Sequence, residues 1–254
     1  MAILISGDFH ANEDHELFSV TKNTLIRKYG QRKYDEIKYQ IILGDAGFLW
    51  PGYEKIGIQN YAALSKRPFP VLSVVGNHDP VLGRPDLPEA DIGIGEKVIM
   101  IKEEKPLVAY LKRGKVYKID NHKILALGGA LSIDKAYQQL NNTWWKNEYW
   151  SEAEKKVLFK LLDKDNHFDY VLAHTGPIRV NEILNPFSRI GFPLKFYDEV
   201  AALNEKIDGR ITCKQWFCGH WHNEKYYYDQ NYKRGYQYLY RETALLSDDK
   251  IKVL

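Results

Sequence analysis

The chain has two cysteines, Cys213 and Cys218, and they exclude more than they offer. They lie five residues apart beside one predicted strand, with side chains directed to opposite faces, so no local disulfide is expected. No Cys-x-x-Cys pair occurs, which removes thiolate zinc sites. No apolar run is long enough to span a bilayer. Ala2-Ile3-Leu4-Ile5 starts a strand almost at the first residue, which leaves no room for a signal peptide. Charge of one sign is also missing: 36 basic residues against 33 acidic ones give +3, too slight an imbalance to favour long nucleic acid. These absences together predict a cytoplasmic protein with no membrane contact, in which Asn141-Asn142-Thr143 matches a glycosylation sequon by coincidence.

The rest of the composition is that of a globular protein. With 254 residues, 44% hydrophobic and 27% charged, the chain can bury a substantial core. It shows no repeat, low-complexity tract or linker, so residues 1–254 read as one domain. Aromatics are the one excess, 18 Tyr and 6 Trp, which fits either a layered β core or an aromatic-lined surface.

The order of segments indicates an α/β fold. Short apolar strands at 2–5, 41–43 and 71–75 alternate with helical patterns at about 14–29 and 54–65, which predicts parallel strands with crossover helices. The helical face of the first pattern carries Leu17, Val20, Thr21, Thr24, Leu25 and Lys28. Residues 80–95 read as a long surface loop. Strands at 97–101, 107–111, 115–119 and 123–127 then follow at hairpin spacing and look like a second, more antiparallel sheet. An irregular aromatic-rich segment runs to Trp150, and Ser151 with Glu154 forms a capping box for a helix to about Leu162. A strand at 170–173, a loop with Pro186, Gly191 and Pro193, a helix at about 196–206 and a strand at 215–218 resume the alternation. Strands near 225–228, 236–240 and 251–254 close the chain.

Five of the apolar strands stop abruptly on polar sets: Asp8 and His10, Asp45, Asn77 and His78, His174, and His220 with His222. Ligands of open α/β sheets collect at the carboxyl ends of strands, so these sets share an edge. Residues two apart in extended chain face the same way, which lets Asp8 with His10, and His220 with His222, each grip one ion. Of the 8 histidines, only His15, His122 and His167 lie elsewhere. Singly, each motif has an ordinary explanation: Gly-Asp is a common turn, and a lone histidine is commonly a hydrogen-bonded interior residue. Jointly they predict a metal centre. Imidazole and carboxylate without thiolate suit manganese, iron or zinc.

Asp8-x-His10, Gly44-Asp45, Gly76-Asn77-His78-Asp79, His174 and Gly219-His220-x-His222 resemble, in order and over residues 8 to 222, the motif blocks of the calcineurin-like metallophosphoesterase superfamily. The resemblance implies a four-layer α/β/β/α sandwich, two central mixed sheets flanked by helices, with a two-metal site at the loops. It implies that Asp8, His10 and His222 hold one divalent ion, that Asn77, His174 and His220 hold the other, and that Asp45 bridges them, manganese being the expected metal and iron or zinc compatible. A hydroxide bridging the metals would attack phosphorus in line. By the same resemblance His78 is the general acid that protonates the leaving oxygen, and Asp79 orients its imidazole.

The superfamily's protein serine/threonine phosphatases carry an arginine shortly after Gly-Asp and end the third block in Glu. Here Gly44-Asp45 continues Ala46-Gly47-Phe48-Leu49-Trp50, the third block ends in Asp79, and the last block keeps His222, as in the branch rich in phosphodiesterases. A phosphodiester or phosphomonoester of nucleotide type is therefore the expected substrate, ahead of phosphoprotein. A non-catalytic scaffold on the same fold would show gaps in the ligand set, and there are none. Trp144, Trp145, Tyr149 and Trp150 are candidates to stack on a base, with packing between layers as the plainer expectation. Lys135, Arg179 and Arg189 sit in loops where a phosphate could use them, and Ser132-Ile133-Asp134-Lys135 follows Gly128-Gly129 at a position beside the site.

Overall fold

Ala2 to Ser6 are buried at every position, the signature of a strand covered on both faces. The computed structural model describes residues 1–10, 20–52, 54–102, 107–133, 135–140, 144–184, 198–247 and 250–253. In the first half, strands β1 (Ala2–Ser6), β2 (Ile37–Ile42), β3 (Val71–Ser73), β4 (Glu89–Ala90), β5 (Val98–Met100), β6 (Val108–Tyr110), β7 (Lys115–Ile119) and β8 (His122–Leu127) alternate with helices α1 (Lys22–Tyr29), α2 (Gln31–Asp35) and α3 (Glu54–Leu64). The second half carries helices α4 (Lys135–Leu140), α5 (Glu152–Leu162), α6 (Ile178–Leu184) and α7 (Glu199–Asp208) with strands β9 (Tyr170–Ala173) and β10 (Gln215–Cys218). Strands β11 (Lys225–Asp229), β12 (Arg234–Tyr238), β13 (Thr243–Ser247) and β14 (Lys250–Val253) follow.

Two mixed sheets result. The first has the order β14-β13-β1-β2-β3-β6-β5-β4, with β1, β2, β3 and β6 parallel. The second has the order β11-β12-β10-β9-β8-β7, with β8, β9, β10 and β12 parallel. Strand alternation sorts the apolar side chains into three interlayer cores. Leu4, Ile42 and Val71 meet Leu25, Tyr61 and Leu64 of the helices over the first sheet. Ile3, Ile5, Ile41 and Leu72 meet Tyr117, Ile124, Tyr170 and Phe217 between the sheets. Leu125, Val171 and Trp216 meet Leu158, Val200 and Ile207 of the helices over the second. Three apolar interfaces separate four layers, helix, sheet, sheet, helix. Trp216, Tyr110, Tyr117, Tyr170 and Tyr236 are fully buried, so much of the aromatic excess is core.

Several local expectations are corrected. The strands at 97–127 do not form one antiparallel sheet: β5 and β6 extend the first sheet, and β7 and β8 belong to the second, which is parallel at its centre. Hairpin spacing says which neighbours pair, but the turn Leu111–Gly114, with Gly114 at φ 71°, carries the chain from one sheet to the other. Of the helix expected at about 14–29, the described part is Lys22–Tyr29, capped by the Thr21 side chain, while residues 11–19, Leu17 among them, lie outside the described residues. Helices α2, α4 and α6 and strands β4 and β13 were not expected from the sequence, β4 lying within the stretch 80–95 read as a loop. The Ser151–Glu154 capping box is present at the start of α5. Cys213 and Cys218 are both free. Among the described residues no helix is long and apolar enough to cross a membrane.

Candidate metal centre

The carboxyl ends of β1, β2 and β3 in one sheet and of β9 and β10 in the other face a common edge, and the polar sets that follow them converge there. Two clusters form, Asp8 with His10 and His222, and Asp45 with His174 and His220, the candidate ligand atoms of each lying within 4.8 Å of one another. His10 Nε2 is 3.0 Å from His222 Nε2, and each is close to Asp8 Oδ2, at 3.7 and 3.6 Å. His174 Nε2 is 2.8 Å from Asn77 Oδ1 and 3.1 Å from Asp45 Oδ2, and the same Asp45 oxygen is 3.5 Å from His10 Nε2. One carboxylate oxygen thus faces an imidazole of each cluster.

The backbone is bent to make this possible. His10, Asp45, His220 and His222 all have positive φ, between 45° and 67°, in the left-handed region where a side chain crowds its own backbone. Strain of this kind collects at functional sites. Two motif glycines let the chain approach the carboxylates: a Cβ on Gly76 would overlap Asp45 Oδ1, and one on Gly219 would overlap Asp8 Oδ1.

The electrostatics call for cations. Burial opposes charge on His174, yet the Asp45 and Asp8 carboxylates and the Leu43 carbonyl push its pKa up to about 10. Burial works against ionised Asp45 as well, but His174, His78 and His10 hold it well below the usual carboxylate range. Burial, reinforced by His174, pushes His220 well below an ordinary imidazole, so it stays neutral with a lone pair to give. His174 Nδ1 lies 2.7 Å from the Leu43 carbonyl and donates to it, which in the neutral ring leaves Nε2 bare against two oxygens. Asp8 Oδ1 is buried without a hydrogen-bond partner. Imidazoles, carboxylates and one amide oxygen aimed at common points, with an orphaned carboxylate oxygen, fit divalent cations.

The neighbours of this cluster hold its geometry. His222 stacks on Tyr240 at 4.4 Å and 5°. His78 is half-buried; its N–H donates to Asp45 Oδ1 at 2.9 Å, and its ring packs on Trp50 at 5.1 Å. Asp79 does not meet the His78 ring. Its carboxylate accepts from Gly76 N at 2.9 Å, the Tyr110 hydroxyl at 3.0 Å, and Gly47 N and Trp50 Nε1 at 3.4 Å. Asp79 meets Trp50, which packs on the His78 ring, and burial together with the nearby Asp45 charge raises its pKa.

The segment after α4 also reaches the site. Trp145 Nε1 donates to the His78 carbonyl at 3.3 Å, and Ser132 Oγ accepts from Asn77 Nδ2 at 3.0 Å. Trp150 is core, its indole donating to the Gly128 carbonyl. Arg179 is bound by Glu205, Asp208 and Asp229 and leaves no evident role for a phosphate. Lys135 lies over Trp144 and Tyr149, at 4.2 and 5.0 Å. Arg189 and Asp134, like the sequon at 141–143, lie outside the described residues.

Residues the sequence did not flag hold this segment. Arg113 forks onto Glu154 at 2.9 and 3.0 Å and donates to the carbonyls of Asn147, Glu148 and Tyr149. Nothing in its sequence surroundings marks it, since its partners lie 34 to 41 positions away. Arg113→Ala is expected to cost roughly 3 kcal/mol in urea unfolding, because one buried and several part-buried acceptors lose their donor together. Arg113→Lys, which cannot fork, should fall between the two. A loss below about 1 kcal/mol for the alanine variant would show the clamp to be redundant.

A family model for calcineurin-like phosphoesterases matches residues 1–224. No curated protein matches the sequence at a significant level. Among solved structures, the chain is similar to phosphopantetheinyl hydrolase (PptH) from Mycobacterium tuberculosis, with 11% identity, a TM-score of 0.47, and coverage of 94% of this chain and 90% of that one. It is also similar to Haemophilus influenzae NAD nucleotidase (NadN), with 14% identity and a TM-score of 0.44, all of this chain covering 49% of that one.

Proposed function

The chain belongs to the calcineurin-like phosphoesterase family, and from that premise we propose that it hydrolyses a phosphodiester or phosphomonoester of nucleotide type with two divalent ions, manganese foremost. It is a metal-dependent phosphoric ester hydrolase. The observation that carries the dinuclear reading is Asp45, whose Oδ2 faces His174 of one cluster and His10 of the other. In this reading Asp8, His10 and His222 hold one cation, Asn77, His174 and His220 the second, and Asp45 is shared. When bound, the pair supplies Lewis-acid activation of water and neutralises phosphoryl oxygens.

The protein's own groups do the rest. His78 stands half-buried beside Asp45 and gives a proton to the leaving oxygen. Trp50, hydrogen-bonded to Asp79, holds that imidazole from one side. Trp145 is half-buried and bonded to the His78 carbonyl, so an indole stands beside the acid where a nucleobase leaving group could stack. Residues 1–254 are taken as one catalytic unit, because β13 pairs with β1 and β12 with β10 beyond the last motif.

Bis-p-nitrophenyl phosphate and p-nitrophenyl phosphate test the reading directly: manganese-loaded protein turns over at least one, and chelation abolishes it. Absence of turnover of both esters with two ions bound rejects it. His78→Ala is expected to keep both ions and lose about 10²–10⁴ in kcat. If that variant binds fewer metals, His78 is a ligand instead of the acid.

A further inference from the structure

Asn77 presents a problem that its own side chain cannot solve. The two ends of an amide are nearly the same size, and only the oxygen can serve a cation. Rotated by half a turn, the amide would aim N–H groups at the place where Oδ1 now lies beside His174 Nε2. Asn77, Ser132 and Glu148 are 2%, 3% and 2% exposed, so water does not decide the orientation.

The neighbouring hydrogen bonds can. Asn77 Nδ2 donates to Ser132 Oγ at 3.0 Å, and Ser132 Oγ–H donates to Glu148 Oε2. A hydroxyl has one proton; committed to a carboxylate, it shows only lone pairs to the amide. Those lone pairs accept N–H and repel an amide oxygen. The other carboxylate oxygen of Glu148 accepts Trp144 Nε1–H at 2.7 Å, and the Glu148 backbone is pinned by Arg113. The same short segment holds the next residue, through Trp145 and the His78 carbonyl. A buried carboxylate is costly to keep.

We propose that Glu148, acting through Ser132, is a positioning residue that fixes the Asn77 amide with its oxygen toward the second cation. This rests on the dinuclear reading above. Glu148→Gln makes the dependence visible. If the glutamine oxygen faces Ser132, its NH2 confronts the Trp144 N–H. If its NH2 faces Ser132, the hydroxyl proton turns toward Asn77 and favours the flipped amide.

Calorimetric titration of metal-free protein with Mn²⁺ tests the relay. Wild type is expected to take up two ions. In Ser132→Ala and in Glu148→Gln the Kd of one ion rises about 10- to 100-fold while the other is unchanged. The double variant is no worse than the weaker single one, since both break the same relay, and Ser132→Thr, which keeps the hydroxyl, retains wild-type affinity. Unchanged constants in both single variants overturn the proposal. So does joint weakening of both ions with a fall in Tm, which marks a general structural role, or a Thr variant as weak as Ala. A wild type that takes up fewer than two ions overturns the dinuclear reading, and the relay falls with it.

Discussion

Asp45→Asn is expected to leave at most one cation bound and to lower ester hydrolysis by at least about 10³-fold, the loss of several kcal/mol of charge stabilisation. The substitution keeps the shape of the side chain and its acceptor for the His78 N–H, so the turn after β2 should survive. What disappears is the second anionic oxygen, which lies 3.1 Å from His174 Nε2 and 3.5 Å from His10 Nε2. An amide offers one oxygen and an N–H₂, and the N–H₂ end would face one of the two clusters. Asp8→Asn removes a ligand of the first cluster but keeps an oxygen acceptor for the His220 N–H, so it should retain the second ion. Metal content of the purified variants, measured beside turnover of bis-p-nitrophenyl phosphate, separates the cases. An Asp45→Asn protein with two ions and activity within tenfold of wild type would show that the carboxylate is not shared.

The second large effect concerns the protein without metal. The pKa of His174 is raised from 6.5 to about 10 by its carboxylate neighbours, against the opposing effect of burial. A group raised in the folded state contributes stability that is complete below pH 6.5 and is lost as pH climbs through about 10. Asp45, held below its ordinary 3.8, contributes in the opposite sense: its stabilisation is present above 3.8 and is lost as pH falls through the depressed value. Chelated protein should therefore lose on the order of a few kcal/mol between pH 6.5 and 10 as His174 gives up its proton. Metal takes the place of the His174 proton, so stabilisation by Mn²⁺ should grow over the same window. Thermal melts with and without Mn²⁺ across that range measure the difference, and His174→Gln should flatten it. A gap that stays constant with pH in wild type contradicts the account.

The residues that converge on the centre were readable because each interrupts an apolar run. A strand that ends on Gly-Asp or Gly-Asn-His announces itself in one dimension, and the parallel order of β1, β2 and β3 carries those ends to one edge. Asp79 and Ser132 were flagged by their positions, but the partners that bind them were not readable. Asp79 takes its bonds from Trp50 and Tyr110, 29 and 31 positions away, and Glu148 meets Ser132 across 16. No periodicity encodes such meetings. Strand β13 escaped for a different reason: Ala244-Leu245-Leu246 is a short apolar run whose period does not separate helix from strand. The sheet assignment of β5 to β8 failed because local spacing carries pairing but not the crossing between layers.

Each candidate cation draws on both sheets. Asp8 and His10 follow a strand of the first and His222 one of the second; Asp45 and Asn77 belong to the first, His174 and His220 to the second. The two layers are otherwise held at this edge by side-chain packing and hydrogen bonds, and the two cysteines form no covalent tie. Loading the centre would rivet one sheet to the other, a cross-link that forms and dissolves with metal supply. Amide exchange at the adjoining strand ends should then slow on loading in both sheets at once, with β7 and β11 at the far edges little affected.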